Sequence, residues 1–169
     1  MPLERFSAAW REGYVTSVSA GDNATEVGEC VFCVLAGAAV DESSGVLWRS
    51  ELSYVVLNAF PYGSGHLLVL PIRHLAGLSE LRDDEYADFS EAIRRTVLAL
   101  EKAYGSDGMN VGMNLGQAAG AGIPKHLHGH VLPRWSGDTN FMPVLSGVDV
   151  ISQSLDALWE LLAEKLDQP

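Results

Sequence analysis

Apolar and polar positions along the 169-residue chain change period several times, and each change marks an element. Residues 46–49 (VLWR) and 52–57 (LSYVVL) are short runs rich in β-branched and aromatic side chains, which predicts two strands of a hairpin or meander. Pro61-Tyr62-Gly63-Ser64-Gly65 is strong turn punctuation. Residues 66–70 then read as a buried strand that Pro71 stops. Over 79–104 the period becomes helical, with Tyr86, Phe89, Ile93, Val97, Leu100 and Tyr104 at three- and four-residue steps. Ser79 or Asp83 is placed to cap its start, and Gly105 to end it. Residues 110–115 predict a further strand, followed by a Gly/Ala-rich loop over 116–122, a strand over 126–132 and a polar loop around 137–140. Ile151, Leu155, Leu158, Leu162 and Leu166 predict a C-terminal helix. The order of elements is that of an α+β fold with a mostly antiparallel sheet.

The strand at 126–132 carries candidate chemistry. His126, His128 and His130 alternate with Leu127 and Gly129, and Pro133 ends the run. On a strand, residues i, i+2 and i+4 share a face, and at about 3.3 Å per residue their imidazoles stand roughly 6.6 Å apart. A helix would turn alternate residues to nearly opposite sides. The run is internal and interleaved with apolar residues, unlike a purification tag. Such a row supplies nucleophiles, proton carriers or metal ligands near neutral pH. Cys30-Val31-Phe32-Cys33 precedes an apolar segment and reads as a metal half-site, a redox pair or two core-lining thiols. The βαβ context of a thioredoxin-like site is missing from the predicted elements.

Composition narrows the classes. With 47% hydrophobic and 20% charged residues, the chain reads as one globular domain over 30–169 preceded by a partly helical arm over 1–29. No apolar run approaches the ~20 residues that span a bilayer, and the start lacks the apolar core of a secretory signal. Two cysteines are too few for a disulfide scaffold, so a reducing cytoplasm is expected. A formal charge of −11 speaks against nucleic-acid or anionic-membrane binding. A small anionic substrate remains compatible, because backbone N–H groups, histidines and the flanking Lys125 and Arg134 give local positive potential.

The stretch HLHGHVL (126–132) resembles the His-φ-His-φ-His-φ-φ pattern (φ hydrophobic) of the histidine triad, or HIT, family. VVLNAFPYGSGHLLVLPIRH (55–74) is similar to the family's ribose-binding strand–turn–strand, and NVGMNLGQAAGAGIPKHLHGHVLPRW (110–135) to its phosphate loop and triad. PRWSGDTNF (133–141) resembles the branch of diadenosine tetraphosphate phosphorylases and hydrolases. The likeness covers about residues 30–145. It departs from the pattern at Gly129, where relatives have a bulky aliphatic, leaving either a packing gap or room for a neighbouring side chain. It departs again at Gly122-Ile123-Pro124, which lacks the Ser or Thr hydroxyl frequent before the triad.

The resemblance implies an antiparallel meander sheet with one long central helix and a C-terminal helix, assembled as a homodimer. It implies cleavage of a phosphoanhydride in a nucleoside phosphate or dinucleoside polyphosphate through a covalent nucleotidyl-histidine, with water or phosphate as acceptor. The alternatives are hydrolysis of nucleoside phosphoramidates, or a nucleotide-binding sensor without turnover. Position by position, His128 would be the nucleophile and His130 its hydrogen-bonding support. Asn58 would hold the ribose, or else serve only as a turn residue. Asn114, Gln117, Gly120 and Gly122 would line the phosphates. Cys30, Cys33, His74 and His126 would hold a structural zinc, and His66, opening a buried strand, would satisfy a backbone group instead.

Overall fold

The computed structural model describes residues 30–138 and 154–167. The expected N-terminal arm, and Ile151 of the expected C-terminal helix, lie outside the described residues. A short helix α1 (Val31–Gly37) follows Cys30, then β1 (Val46–Arg49), β2 (Ser53–Leu57) and β3 (Leu67–Pro71) form a meander. The long helix α2 (Asp83–Tyr104), the strands β4 (Gly108–Met113) and β5 (Gly129–Arg134), and the helix α3 (Leu155–Asp167) complete the order. The five strands run β1-β2-β3-β5-β4, every pairing antiparallel. The α+β architecture is therefore the expected one, with β5 returning to lie between β3 and β4.

Alternation along the strands divides the core. Leu47, Val55, Leu57, Leu67, Val69 and Val131 face α2 and α3, while Val46, Tyr54, Val56, Leu68 and Leu70 face α1 with Cys30 and Phe32. A register shift between Val46 and Trp48 lets Trp48 pack on the helical side as well, where Arg95 stands 5.1 Å over its ring. On α2 the buried face is Glu85, Phe89, Ala92, Thr96, Ala99 and Leu100. Tyr86, placed on the apolar face by its spacing, is instead 56% exposed. Ala92, Thr96 and Ala99 let the helix lie close to the sheet between Phe89 and Leu100, while Ile93, Val97 and Tyr104 are only partly buried beside that line.

Several boundaries differ from those expected, each for a local reason. Helix α2 starts at Asp83, after a 3-10 turn at Leu78–Glu80. Neither Ser79 nor Asp83 caps it: the Glu85 carboxylate turns back to accept the Arg82 N–H at 2.9 Å. The apolar segment after Cys30 is the helix α1, too short for a helical period to declare itself. Pro133 lies inside β5. Pairing with β3 stops at Val131, so beyond it β5 hydrogen-bonds only to β4 and a missing N–H on the other side costs nothing. Pro71 likewise closes β3 from within.

Candidate functional site

The three triad histidines are not a row on one strand. Strand β5 begins at Gly129, so His126 and His128 lie in the approach to it and only His130 is a strand residue. The approach is held by Leu127, whose N–H donates to the Leu75 carbonyl at 2.6 Å. This irregular backbone turns the side chains toward different partners on the α1 side of the sheet.

His126 is buried and its Nε2–H donates to the Pro71 carbonyl at 3.0 Å. That bond leaves Nδ1 as the lone-pair nitrogen, 3.5 Å from Cys30 Sγ and 3.6 Å from Cys33 Sγ. His74 Nδ1 lies 3.1 Å from Cys33 Sγ. One donor atom from each of Cys30, Cys33, His74 and His126 falls within 4.8 Å of all the others, so the cluster could hold a metal ion. The donor separations approach the edges of a tetrahedron with metal–ligand bonds of about 2.0–2.3 Å, roughly 3.3–3.8 Å. A carbonyl partner on the far ring nitrogen is the usual support of a ligating histidine. Burial, then the hydrogen bond and charge of Cys30, push the Cys33 thiol up to about 11, so its thiolate calls for a neighbouring cation.

His128 is buried, and its Nδ1–H donates to the His126 carbonyl at 2.8 Å. The proton is thereby fixed on Nδ1, and Nε2 carries the lone pair. Burial lowers its pKa, against the opposing pull of the His126 carbonyl, so the ring is neutral near pH 7. The His130 ring centroid is 5.1 Å away.

His66 completes the group, and spacing alone did not identify its contact with His130. Its Nδ1 accepts the Tyr62 N–H at 3.0 Å and lies 3.2 Å from Asn58 Nδ2, which satisfies a backbone donor as expected. Its Nε2–H then donates to His130 Nδ1 at 2.9 Å. Burial first, then repulsion from His130 and His128, hold its pKa down to about 3, so it stays neutral in this relay. Tyr62 stacks on His130 at 24°. The signal in the sequence was a histidine opening an otherwise apolar strand; the register of Leu68 with His130, which brings the two rings together, appears only in the fold.

Asn58 is buried at the end of β2, where its Oδ1 accepts the Phe60 N–H at 3.0 Å. Asn114 lies half-buried just past β4, and Gln117 is exposed in a 3-10 turn over Gln117–Ala119. Neither side chain hydrogen-bonds to any described residue. Gly116 and Gly120 take φ of +81° and +88°, which only glycine adopts freely, and fold the loop so that Ala121 N–H donates to the Gly116 carbonyl. Gly122 follows half-buried, and Ile123 packs into the core under α1. The loop thus enters the histidine cluster beside His126.

Among the described residues no helix is long and apolar enough to cross a membrane. The fold and the gathered imidazoles define an α+β domain with a buried histidine cluster and a candidate metal set beside it. The HIT domain family model matches residues 40–137, and the chain belongs to that family. It is 42% identical over 123 residues to an AP-4-A phosphorylase of Mycobacterium tuberculosis, covering 73% of this chain and 63% of that protein. The chain therefore spans under two thirds of that relative's length. An asymmetrical bis(5'-nucleosyl)-tetraphosphatase of Schizosaccharomyces pombe is 34% identical over 95 residues, 56% of this chain and 52% of its own. Among solved structures, a Zn-bound histidine triad family protein from Mycobacterium smegmatis superposes with a TM-score of 0.66 at 26% identity, covering 83% of this chain and 95% of that one.

Proposed function

We propose that the chain cleaves a phosphoanhydride of a dinucleoside polyphosphate such as diadenosine tetraphosphate, with His128 as the nucleophile. The observation that carries the reading is the 2.8 Å bond from His128 Nδ1–H to the His126 carbonyl, which leaves Nε2 unprotonated on a neutral ring. In the first step the Nε2 lone pair attacks the α-phosphorus, a P–N bond forms, and the bond to the bridging oxygen breaks. The leaving nucleoside polyphosphate carries that oxygen away. In the second step water or inorganic phosphate attacks the same phosphorus, and the P–N bonding pair returns to His128. Two displacements through an imidazole replace one difficult displacement. His130, with Nδ1 occupied by His66, is disposed to present Nε2–H as a donor beside the reacting phosphate.

In the same reading Asn58 holds the ribose, and Asn114, Gln117, Gly120 and Gly122 line the phosphates, where backbone N–H groups approach an oxyanion. The four-donor cluster fits zinc, which would supply a closed structural site and no chemistry. Reduced thiols suit a cytoplasmic location. A homodimer is proposed through β4, one of the two edges of the sheet among the described residues, where Val111 is 49% exposed. Residues 30–169 are proposed to form one domain, with 1–29 as its arm.

The test is incubation with diadenosine tetraphosphate, with and without phosphate, and analysis of the products. ADP plus ATP only with phosphate indicates a phosphorylase; AMP plus ATP in water indicates a hydrolase. No turnover of any nucleotide sinks the reading. His128→Ala is expected to lower kcat on the order of 10³-fold or more while substrate still binds, and retained turnover would remove His128 from its role.

A further inference from the structure

Phe32 stands between the two cysteines of the CxxC pair, yet its ring is directed at the histidines. It is 7% exposed. Its centroid lies 5.3 Å from that of His128, at 52°, and 5.6 Å from that of His126, edge-on at 83°. The Phe32 carbonyl accepts a 2.7 Å hydrogen bond from the hydroxyl of Tyr54, a fully buried residue of β2. Tyr54 thus reaches through the sheet's α1 face and holds the first turn of α1 at one point, which sets where the Phe32 ring falls.

The His128 ring is held at few points. One hydrogen bond, from Nδ1 to the His126 carbonyl, fixes a point on the imidazole but leaves the plane free to pivot about that bond. The terminal torsion of histidine is broad and roughly two-fold, so side-chain rotamer preference does not supply the missing restraint. An aromatic wall at 5.3 Å does, because tilting the imidazole toward it meets the Phe32 ring. His130, 5.1 Å away at 70°, limits the ring elsewhere.

We propose that Phe32, held by the Tyr54 hydroxyl, is a positioning residue that fixes the plane of the His128 imidazole. The inference rests on His128 being the nucleophile. It gives the residue inside the CxxC pair a duty toward catalysis separate from metal holding by its neighbours. Attack on phosphorus needs Nε2 in line with the leaving oxygen, and a misplacement of about 1 Å costs as much as 10²-fold in rate.

The test uses Phe32→Leu and Tyr54→Phe in the full chain, each matched to wild type in metal content. Phe32→Leu is expected to lower kcat roughly 10- to 100-fold with KM within about twofold, and Tyr54→Phe to do the same more weakly. The second readout is the ¹⁵N spectrum of His128. Wild type should show a single tautomer with the proton on Nδ1, and Phe32→Leu an averaged or broadened pattern. Wild-type kcat together with a wild-type ¹⁵N pattern in both folded variants overturns the proposal. A raised KM with unchanged kcat overturns it too, since Phe32 would then contact substrate. If Phe32→Leu does not fold, Phe32→Met and Tyr54→Phe decide by the same readouts. If wild type turns over no nucleotide, the functional reading has failed and the ¹⁵N comparison alone decides the positioning role.

Discussion

A Cβ built at Gly129 would stand 3.3 Å from Phe89 Cζ and 3.6 Å from Ile93 Cδ1. The two outcomes expected of a glycine here were a void or room for a neighbour, and the second holds: the Phe89 ring of α2 fills the place of the missing side chain. Phe89 is 1% exposed and has little room to retreat. Gly129 sits between His128 and His130, so the same close approach fixes how far β5 lies from the helix. Gly129→Val is therefore expected to destabilise the fold by about 1–3 kcal/mol through overpacking, and to lower turnover because both neighbours shift. A urea unfolding midpoint equal to wild type would show instead that α2 moves aside freely.

The connection from β3 to α2 is the element on which the candidate metal set depends, since it carries His74. Arg73 grips the Glu85 carboxylate with Nε and Nη2, both at 2.7 Å, and donates from Nη2 to the Glu80 carbonyl. The Glu85 side chain is 3% exposed and also accepts from Arg82, so the helix start and the loop share one carboxylate. The Arg73 hydrogen bond, the Arg82 backbone N–H and the two guanidinium charges outweigh burial and hold its pKa down to about 2, from 4.5. A folded pKa below the unfolded one stabilises the protein fully above about 4.5 and loses that stabilisation as the pH falls toward 2. Glu85→Gln should then be less stable than wild type at pH 7 by roughly 1–3 kcal/mol, a range kept low because Arg73 is 43% exposed and screened by water. Chemical denaturation from pH 7 to 2.5 should show the gap narrowing below pH 4.5, and a gap constant with pH would refute the role. None of this was visible in the sequence. Hydrophobic period exposed the strands and the long helix because each extends over several repeats. The seven residues of α1 are too few for a period to show. The Arg82 cap rests on a local contact from Glu85 that lacks the usual Ser or Thr at its start. The late start of β5 depends on a tertiary partner, Leu75, which no local pattern encodes.

Across the whole molecule, Cys30, Cys33, His74 and His126 come from three chain segments, and the contacts among them close loops of 41 and 96 residues. Their convergence was foreseen from the family likeness, whereas spacing alone identified only the cysteine pair. His66 was legible as a buried residue satisfying backbone, but its bond to His130 needs the β3–β5 register to bring them together. The cluster joins α1 to the sheet on the face opposite α2 and α3, where Phe32 and the His126 carbonyl both meet His128. A metal bound only by the folded form adds stability as RT ln(1 + [L]/Kd), about 4 kcal/mol at a thousandfold excess over Kd. For a chain of this size that corresponds to a melting shift of about 10 °C. Wild type purified without chelator should contain about one zinc per chain and lose about 10 °C in Tm on treatment with a strong chelator, recovering it when zinc is restored. Cys33→Ser should begin near the chelated Tm and respond weakly to either treatment. A chelator-insensitive, zinc-free wild type would reduce the four residues to a packed cluster. Because α1 also carries Phe32, chelation should lower kcat beyond what the fraction of unfolded protein accounts for. A loss of activity that follows unfolding alone would separate the metal set from His128.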